Sequence, residues 1–144
     1  MSPRDVALAY LSALGGDEPA AVLDLVSDDF VNEQAAFIAP GCVGKPTYAE
    51  KLPQFFADFA DRSYEVLEVV DGTSGSDGSS DAGTVAVQYH YRATVDGAHG
   101  ATRIDVPGVM LIRVDGGVVT SRVDTWDSLH FFDQTGLAPP DTTD

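Results

Sequence analysis

The hydrophobic period of the chain changes near residue 64, and this change limits the folds that the sequence can adopt. Before it, apolar residues recur at helical spacing; after it, they recur at every second position, as in a half-buried strand. The clearest alternation runs from Thr84 to Val95, and its apolar face carries Val85, Val87, Tyr89 and Tyr91. Helices followed by a run of strands predict an α+β domain rather than an alternating α/β one.

Three helices are predicted before this change. The first begins at Ser2, with Pro3 and Asp5 in capping positions, carries Tyr10 on its apolar face and ends at Gly15-Gly16. Asp17 is predicted to cap a second helix, whose buried residues are Val22, Leu25 and Val26. The third opens with the capping box Thr47-x-x-Glu50 and buries Leu52, Phe55, Phe56 and Phe59, with Pro53 predicting a kink or a late start.

The predicted strands cover residues 30–36, 64–71, 84–95, 102–115 and 118–127. Pro107-Gly108 predicts a break or bulge in the fourth of them. The polar segment 72–83 is predicted to be a mobile hairpin loop, and residues 138–144 a disordered tail. We therefore expect a single domain over residues 1–137.

The charge balance restricts the partners of the chain. It has 23 acidic residues against 8 Lys and Arg, a formal net charge of −15. Because such a field repels phosphate backbones and anionic lipids, we expect neither a nucleic acid nor a membrane surface as partner. Two interpretations of the acidity stay open: a solvated surface on an ordinary cytoplasmic protein, or adaptation to a cytoplasm of high salt.

The sequence also argues against cofactors and secretion. The single cysteine, Cys42, excludes an internal disulfide and is compatible with a reducing compartment. The three histidines show no metal-ligand spacing, and no glycine loop has the pattern that binds phosphates. No signal peptide or membrane-spanning run is evident, so we expect a cytoplasmic protein without metal or cofactor.

The order of the elements resembles the nuclear-transport-factor-like fold, and within it the SnoaL-like proteins, over about residues 3–136. The most specific part is VPGVMLIRVDGGVVTSRVDTWDSLHFFDQTG, residues 106–136, and the second is DDFVNEQ, residues 28–34. Ketosteroid isomerases, limonene-epoxide hydrolases and polyketide cyclases share this fold. The resemblance implies a cystatin-like, cone-shaped α+β barrel, in which a curved antiparallel sheet wraps around the helices. It also implies a homodimer formed through the sheet.

The resemblance points to Asp124 on the last strand as a catalytic acid or base. Strand alternation places Val118, Thr120, Arg122, Asp124 and Trp126 on one face, so Arg122 could orient the carboxylate. A structural ion pair is the alternative for Arg122 and Asp124. The epoxide hydrolases carry an Arg-x-Asp on an earlier strand where this chain has Tyr89 and Tyr91, which counts against epoxide hydrolysis.

The first predicted strand supplies the second polar group. By resemblance to the isomerases this is either Asn32 or Glu33, since the register is ambiguous by one residue. Tyr89 or Tyr91 could donate to a developing oxyanion, although packing in the core is the alternative for both. The remaining residues expected to contact a ligand are Tyr10, Phe30, Phe56 and Trp126.

Three functions remain open. The chain could be an enzyme that isomerises, cyclises or dehydrates a small apolar carbonyl compound by acid–base catalysis. It could bind such a molecule without chemistry. It could instead be a dimeric interaction protein whose surface is the outer sheet face, with Gln88, His90 and Arg92.

Overall fold

The computed structural model describes residues 1–35, 40–73 and 81–139. The elements follow in the order α1 (Pro3–Leu14), α2 (Pro19–Leu23), β1 (Val26–Gln34), β2 (Cys42–Val43), α3 (Lys45–Asp58), β3 (Ala60–Thr73), β4 (Gly83–Gly97), β5 (Gly100–Asp115), β6 (Val118–Trp126) and α4 (Ser128–Thr135). This confirms the predicted α+β class. Most of the predicted mobile loop (74–80) and of the predicted tail (140–144) lies outside the described residues.

One six-stranded sheet has the order β2-β1-β6-β5-β4-β3. Adjacent strands of this sheet run antiparallel, except for β1 and β6, which run parallel. Helix α1 contacts β3, β4, β5 and β6, and α3 contacts β1 and β2. The main core therefore lies between these helices and one face of the sheet, which we call the inner face; it includes Val6, Tyr10, Leu14, Leu52, Val87 and Met110.

Helix α1 begins as the sequence predicts. The Ser2 side chain accepts a hydrogen bond from the Asp5 backbone N–H, and the Asp5 carboxylate accepts one from the Ser2 N–H. This reciprocal box satisfies two of the donors that a helix start leaves unpaired. The helix ends at Gly15, also as predicted.

The second helix is shorter than predicted and the first strand is longer. Glu18, not Asp17, is the N-cap of α2, and the strand begins at Val26 rather than at Phe30. Leu25 and Val26 do not continue the helix because they pair with β6. The Leu25 C=O accepts a hydrogen bond from the Val119 N–H at 2.8 Å, and Val26 pairs with Val119.

Helix α3 begins at Lys45, two residues before the predicted capping box, and has Gly44 as its N-cap. Pro46 lies in the first turn, and its ring already fixes φ at a helical value. The N–H that proline lacks would have no partner within the helix at this position, so Pro46 favours the earlier start. Pro53 lies inside the helix, which continues to Asp58. The segment before α3 contains the short strand β2, for which the sequence analysis gives no prediction.

The predicted break at Pro107-Gly108 is wrong, since β4 and β5 pair in unbroken register from Gly83 opposite Val114 to Gly97 opposite Gly100. The Pro107 C=O accepts from the Asp127 N–H at 3.1 Å, and the Asp105 N–H donates to the Gln134 side chain at 2.7 Å. Residues two apart direct their backbone groups to the same side of a strand. The N–H that proline lacks would thus point away from β4, and the pairing loses nothing.

The C-terminal Gln-x-Gly motif fastens α4 to the sheet. The Gln134 amide donates to the Asp105 C=O and accepts from its N–H, both at 2.7 Å, which continues the hydrogen bonding of β5 beyond the end of β6. Gly136 ends the helix in the left-handed conformation, with φ of 70°.

Arg62 joins the ends of α1 and α3. Its guanidinium donates to the carbonyls of Leu14 and Gly16, and to those of Phe56 and Phe59. These are carbonyls of helix ends, which have no partner within their own helix. The guanidinium also lies 3.6 Å from the centre of the Phe56 ring.

Candidate functional site

Strand β6 carries a buried ion pair on the inner face of the sheet. Arg122 and Asp124 are 6% and 4% exposed, and the Arg122 Nη2 lies 2.9 Å from the Asp124 Oδ2. The predicted alternation holds for these two residues. It fails for Val118 and Thr120, because a register shift between Arg113 and Val114 puts Val119 on the inner face instead.

Hydrogen bonds extend this pair to three tyrosines. The Tyr89 hydroxyl donates to the Asp124 Oδ1 at 2.5 Å. The Arg122 Nη1 donates to the Tyr10 hydroxyl at 3.0 Å, and the Tyr10 and Tyr48 hydroxyls are 2.7 Å apart. The result is a continuous chain of side chains from α3 through α1 and β6 to β4.

All five tyrosines of the protein belong to this interior. The Tyr64 ring lies 5.2 Å from that of Tyr89 and 4.8 Å from that of Tyr91, so it links the hydrogen-bonded chain to Tyr91. Tyr48 and Tyr64 were not among the predicted site residues. The sequence contains a feature that could have identified each of them. Tyr48 precedes the buried Leu52 by one helical turn, and Tyr64 is the first residue of a predicted strand.

Two polar atoms of this interior are buried without a hydrogen-bond partner among the described residues: the Tyr91 Oη and the Arg122 Nε. The Tyr89 hydroxyl already donates a hydrogen bond to Asp124. Of the two predicted oxyanion donors, Tyr91 is therefore the one whose hydroxyl has no such bond. Ser121 Oγ is a third such atom, on the side of β6 opposite to Arg122.

Burial is the main reason why the pKa of Tyr48, Tyr64, Tyr89 and Tyr91 lies above the ordinary value of 10.0. For Tyr89 the nearby Asp124 carboxylate raises the pKa further. Burial opposes the charge of Arg122, but the pKa of its guanidinium still lies well above its usual value because Tyr10 and Asp124 are beside it. At neutral pH these phenols are therefore donors and Arg122 is a cation.

The register of β1 shows which of Asn32 and Glu33 faces the interior. Asn32 pairs with Arg122 across the parallel strands and lies on the inner side, whereas Glu33 is exposed on the other side. Gln34, which the sequence analysis missed, pairs with Asp124. Its amide donates to the Asn32 Oδ1 at 2.8 Å and accepts from the Trp126 Nε1 at 3.1 Å.

The predicted ligand-contacting residues Phe30, Trp126 and Phe56 lie in three different surroundings. Phe30 lies within the tyrosine interior, with its ring 4.7 Å from that of Tyr48. Trp126 belongs to a second apolar cluster with Phe59, Tyr91, Val106 and Phe131. Phe56 lies under the Arg62 guanidinium, so it supports the helix ends instead of contacting Asp124.

Tyr89 reaches Asp124 by crossing β5 at Gly108. A Cβ atom on Gly108 would stand 2.5 Å from the Tyr89 Oη and 2.6 Å from its Cζ. Only glycine leaves room for the phenol, which explains the glycine that sequence analysis took for a break.

The outer face of the sheet carries a separate polar group. The His90 Nδ1 lies 2.6 Å from the Asp105 Oδ1, and the Arg92 Nε donates to the Asp105 Oδ2 at 3.0 Å.

Within the described ranges, no three His, Cys, Asp or Glu side chains are grouped as a metal site. No helix in the described part of the chain is long and apolar enough to cross a membrane.

Two open clefts lie near this interior. One, of about 550 Å³, is lined at its apolar side by Phe59, Val95 and Phe131 of the second cluster. The other, of about 410 Å³, is lined by Tyr89 and Trp126 as well as by Gln88 and His90 of the outer face. Neither Asp124 nor Arg122 lines either cleft, but the ring of Phe59 lies 6.0 Å from that of Tyr91.

The sequence profile of the SnoaL-like domain matches residues 7–122. The chain belongs to the SnoaL-like domain family. The match includes Arg122 and ends two residues before Asp124. A search of curated proteins gives no significant match to this SnoaL-like domain.

Solved structures share the fold of this SnoaL-like domain. A protein of Catenulispora acidiphila with a ketosteroid isomerase-like fold, in complex with trimethylamine, has a TM-score of 0.75 at 21% identity, over 96% of each chain. A protein of Shewanella putrefaciens described as a SnoaL-like polyketide cyclase has a TM-score of 0.76 at 15% identity, over 94% of this chain and 97% of the other. A phenazine biosynthesis-related protein of Pseudomonas aeruginosa has 0.75 at 12%, over 98% and 85%. The predicted nuclear-transport-factor-like fold is thus confirmed.

Replacing Gly108 tests how Tyr89 is positioned. Gly108→Ala is expected to lower the free energy of unfolding by about 1–3 kcal/mol, because the new methyl group collides with the phenol. Denaturant unfolding measures the loss. Gly15→Ala is the control, since its Cβ would meet no atom closer than 3.5 Å; equal losses in both variants would contradict the close approach at Gly108.

Proposed function

We propose that this SnoaL-like domain binds a small apolar molecule and catalyses a proton transfer on it, with Asp124 as the acid or base and no cofactor. The observation that carries the proposal is a carboxylate held beside a guanidinium in an interior of aromatic rings. Buried ionisable groups beside a specific charge partner are common at catalytic sites. The fold alone does not carry it, because the same fold hosts many functions.

The proposed step uses groups of this interior only. The Asp124 carboxylate takes a proton from the carbon next to a carbonyl group, and the electron pair of the broken C–H bond moves to the carbonyl oxygen to form an enolate. A carboxylate has about four acceptor positions, so Asp124 keeps capacity for this proton beside Tyr89 and Arg122. Where a C=C double bond adjoins that carbon, the enolate extends over it, and return of the proton to its far carbon, as the carbonyl re-forms, completes an isomerisation.

We propose the following route for a ligand from the first cleft to Asp124. It begins at Phe59, whose ring lies 6.0 Å from that of Tyr91. Tyr91 lies against Tyr64, and Tyr64 against Tyr89, which holds Asp124. Because these rings pack against one another, a flat apolar molecule on this line would displace them before it met the carboxylate.

A non-catalytic binding protein is the second candidate. It is favoured by the hydrogen bonds that already occupy both Asp124 oxygens, and by the absence of Asp124 from the lining of the two clefts. In that case the polar interior would fix the orientation of a ligand, and nothing would be converted.

Hydrogen exchange at carbon separates the two candidates. In deuterated water, the wild-type protein is expected to speed deuterium uptake next to the carbonyl of an apolar ketone such as acetylnaphthalene, which NMR detects. Asp124→Asn should lower this rate by about 100-fold or more, since general bases contribute about 10²–10⁴.

The matched control is Asp115→Asn, which removes an exposed carboxylate from the end of β5 and should leave the rate unchanged. Exchange that persists in Asp124→Asn would overturn the role of Asp124. A ketone that binds to the wild type without any exchange would leave the binding protein as the function.

We further propose that the outer sheet face pairs with a second copy of the chain. Leu67, Val70, Val109 and Leu111 are 40–57% exposed there. Arg92, Arg103 and Arg113 lie on the same face, where Glu65 and Asp105 pair with Arg92. Charges of both signs are therefore mixed there, in a protein whose net charge is −15, and two copies repel each other less when these faces meet.

Sedimentation velocity tests this assembly. Leu111→Glu is expected to convert a dimer into a monomer, because a charge would be buried in the interface. Leu129→Glu is the control, since Leu129 is 67% exposed on α4, away from the sheet face. A monomeric wild type, or equal dissociation of both variants, would contradict the proposal.

A further inference from the structure

The outer face of the sheet has a cleft of its own, to which three neighbouring strands contribute side chains. It is the cleft of about 410 Å³ that His90 and Gln88 line. His90 pairs with Pro107 of β5, and Gln88 pairs with Val109, which in turn pairs with Thr125 of β6. All five residues line the cleft, and residues paired in this way share one side of a sheet. Their side chains therefore face the cleft together.

His90 borders this cleft with one ring nitrogen already held. Its Nδ1 lies 2.6 Å from the Asp105 Oδ1, and the Arg92 Nε donates to the Asp105 Oδ2 at 3.0 Å. Hydrogen bonds from His90 and Arg92 lower the pKa of the Asp105 carboxyl, so Asp105 is an ionised acceptor at neutral pH. The His90 Nδ1 therefore carries a hydrogen, and in the neutral ring the lone pair lies on Nε2.

The cleft lies on the side of the imidazole that faces away from Asp105. His90 is among the residues that line the cleft, whereas Asp105 is not. The ring edge that borders the cleft is thus the edge that carries Nε2, and this atom has no hydrogen-bond partner in the described part of the chain. Since the His90 side chain is 35% exposed, water reaches it.

The rest of the lining favours an uncharged molecule. Gln88 lies two residues before His90 on the same face, and its amide makes no hydrogen bond to another group within the described ranges. Leu67 and Val109 add apolar surface that is 49% and 41% exposed. Asp127 also lines the cleft, and its charge disfavours an anion there.

We infer that this outer cleft hydrolyses uncharged esters of apolar alcohols, with His90 as the general base and Asp105 as its positioning residue. The inference is independent of the proposed reaction at Asp124, because Asp124 lies on the inner face of the sheet and does not line this cleft. It gives the outer face a chemistry of its own, carried by residues that the inner site does not use.

The step needs water as its only co-reactant. His90 Nε2 takes a proton from a water molecule while the water oxygen attacks the ester carbonyl carbon, and the carbonyl electron pair moves to its oxygen, to which Gln88 donates. The carbonyl then re-forms and the bond to the alcohol oxygen breaks. His90 returns its proton to that oxygen, which gives a carboxylic acid and an alcohol. Asp105 stabilises the imidazolium that exists between the two proton transfers.

Hydrolysis of p-nitrophenyl butyrate, an uncharged aryl ester, tests the inference through the absorbance of the released nitrophenolate. His90→Gln should lower kcat/KM about 100-fold or more, since general bases contribute about 10²–10⁴. His130→Gln is the matched control: its Nδ1 also lies 2.7 Å from a carboxylate oxygen, but His130 does not line the cleft. Equal losses in both variants, or a wild-type rate no faster than that of free imidazole at the same concentration, would overturn the inference.

Two further measurements test the roles of the pair. Hydrolysis should be slower in deuterated water, because a proton moves in the step; an unchanged rate would show that His90 attacks the ester itself and would overturn its role as a base. Asp105→Asn should lower kcat and leave KM unchanged, since Asp105 fixes the ring tautomer without lining the cleft. An unchanged kcat would overturn the positioning role.

Leu67 and Val109 belong both to this cleft and to the face proposed to pair with a second copy. The assay is therefore repeated with Leu111→Glu, which is expected to leave that face uncovered and changes a residue outside the cleft lining. Hydrolysis that depends on His90 should be at least as fast in this variant as in the wild type. If neither protein shows it, the inference fails, and the exchange assay for Asp124 still stands by itself.

Discussion

The ion pair between Arg122 and Asp124 is the interaction on which the interior of this protein depends. A buried pair of this kind adds little net stability, because taking two charges out of water offsets their attraction. Yet three elements contribute residues that hold it: Tyr89 from β4, Tyr10 from α1 and, through Tyr10, Tyr48 from α3. The helices and the sheet are therefore joined through a polar centre in an otherwise apolar core. The proposed binding of a ligand beside Asp124 would explain why the protein keeps an arrangement that adds so little stability.

Other parts of the fold keep that centre in place. Gly108 leaves the space through which Tyr89 reaches Asp124. Parallel pairing of β1 with β6 sets Asn32 and Gln34 beside Arg122 and Asp124. Arg62 fixes the C-terminal ends of α1 and α3, the two helices that carry Tyr10 and Tyr48. Each of these residues acts on the centre through backbone geometry or a neighbouring side chain.

Sequence reasoning reached the architecture because the change of hydrophobic period is local and strong, as in the Thr84–Val95 segment that lies within β4. It also placed Arg122 and Asp124 on one face. It failed where distant contacts decide: Leu25 and Val26 join the sheet because of Val119, and Pro107 stays in β5 because its missing N–H faces away from β4. The register of Asn32 and Glu33 depends on β6 in the same way.

The stability of a protein without the polar centre tests this account most directly. Arg122→Met, Asp124→Leu and Tyr89→Phe together replace the ion pair and its phenol donor by apolar groups. If the centre exists for a ligand, denaturant unfolding should show a triple variant at least as stable as the wild type, by up to about 1–4 kcal/mol, because the cost of burying charge is gone. A triple variant that is several kcal/mol less stable would show that the pair is structural and would contradict the account.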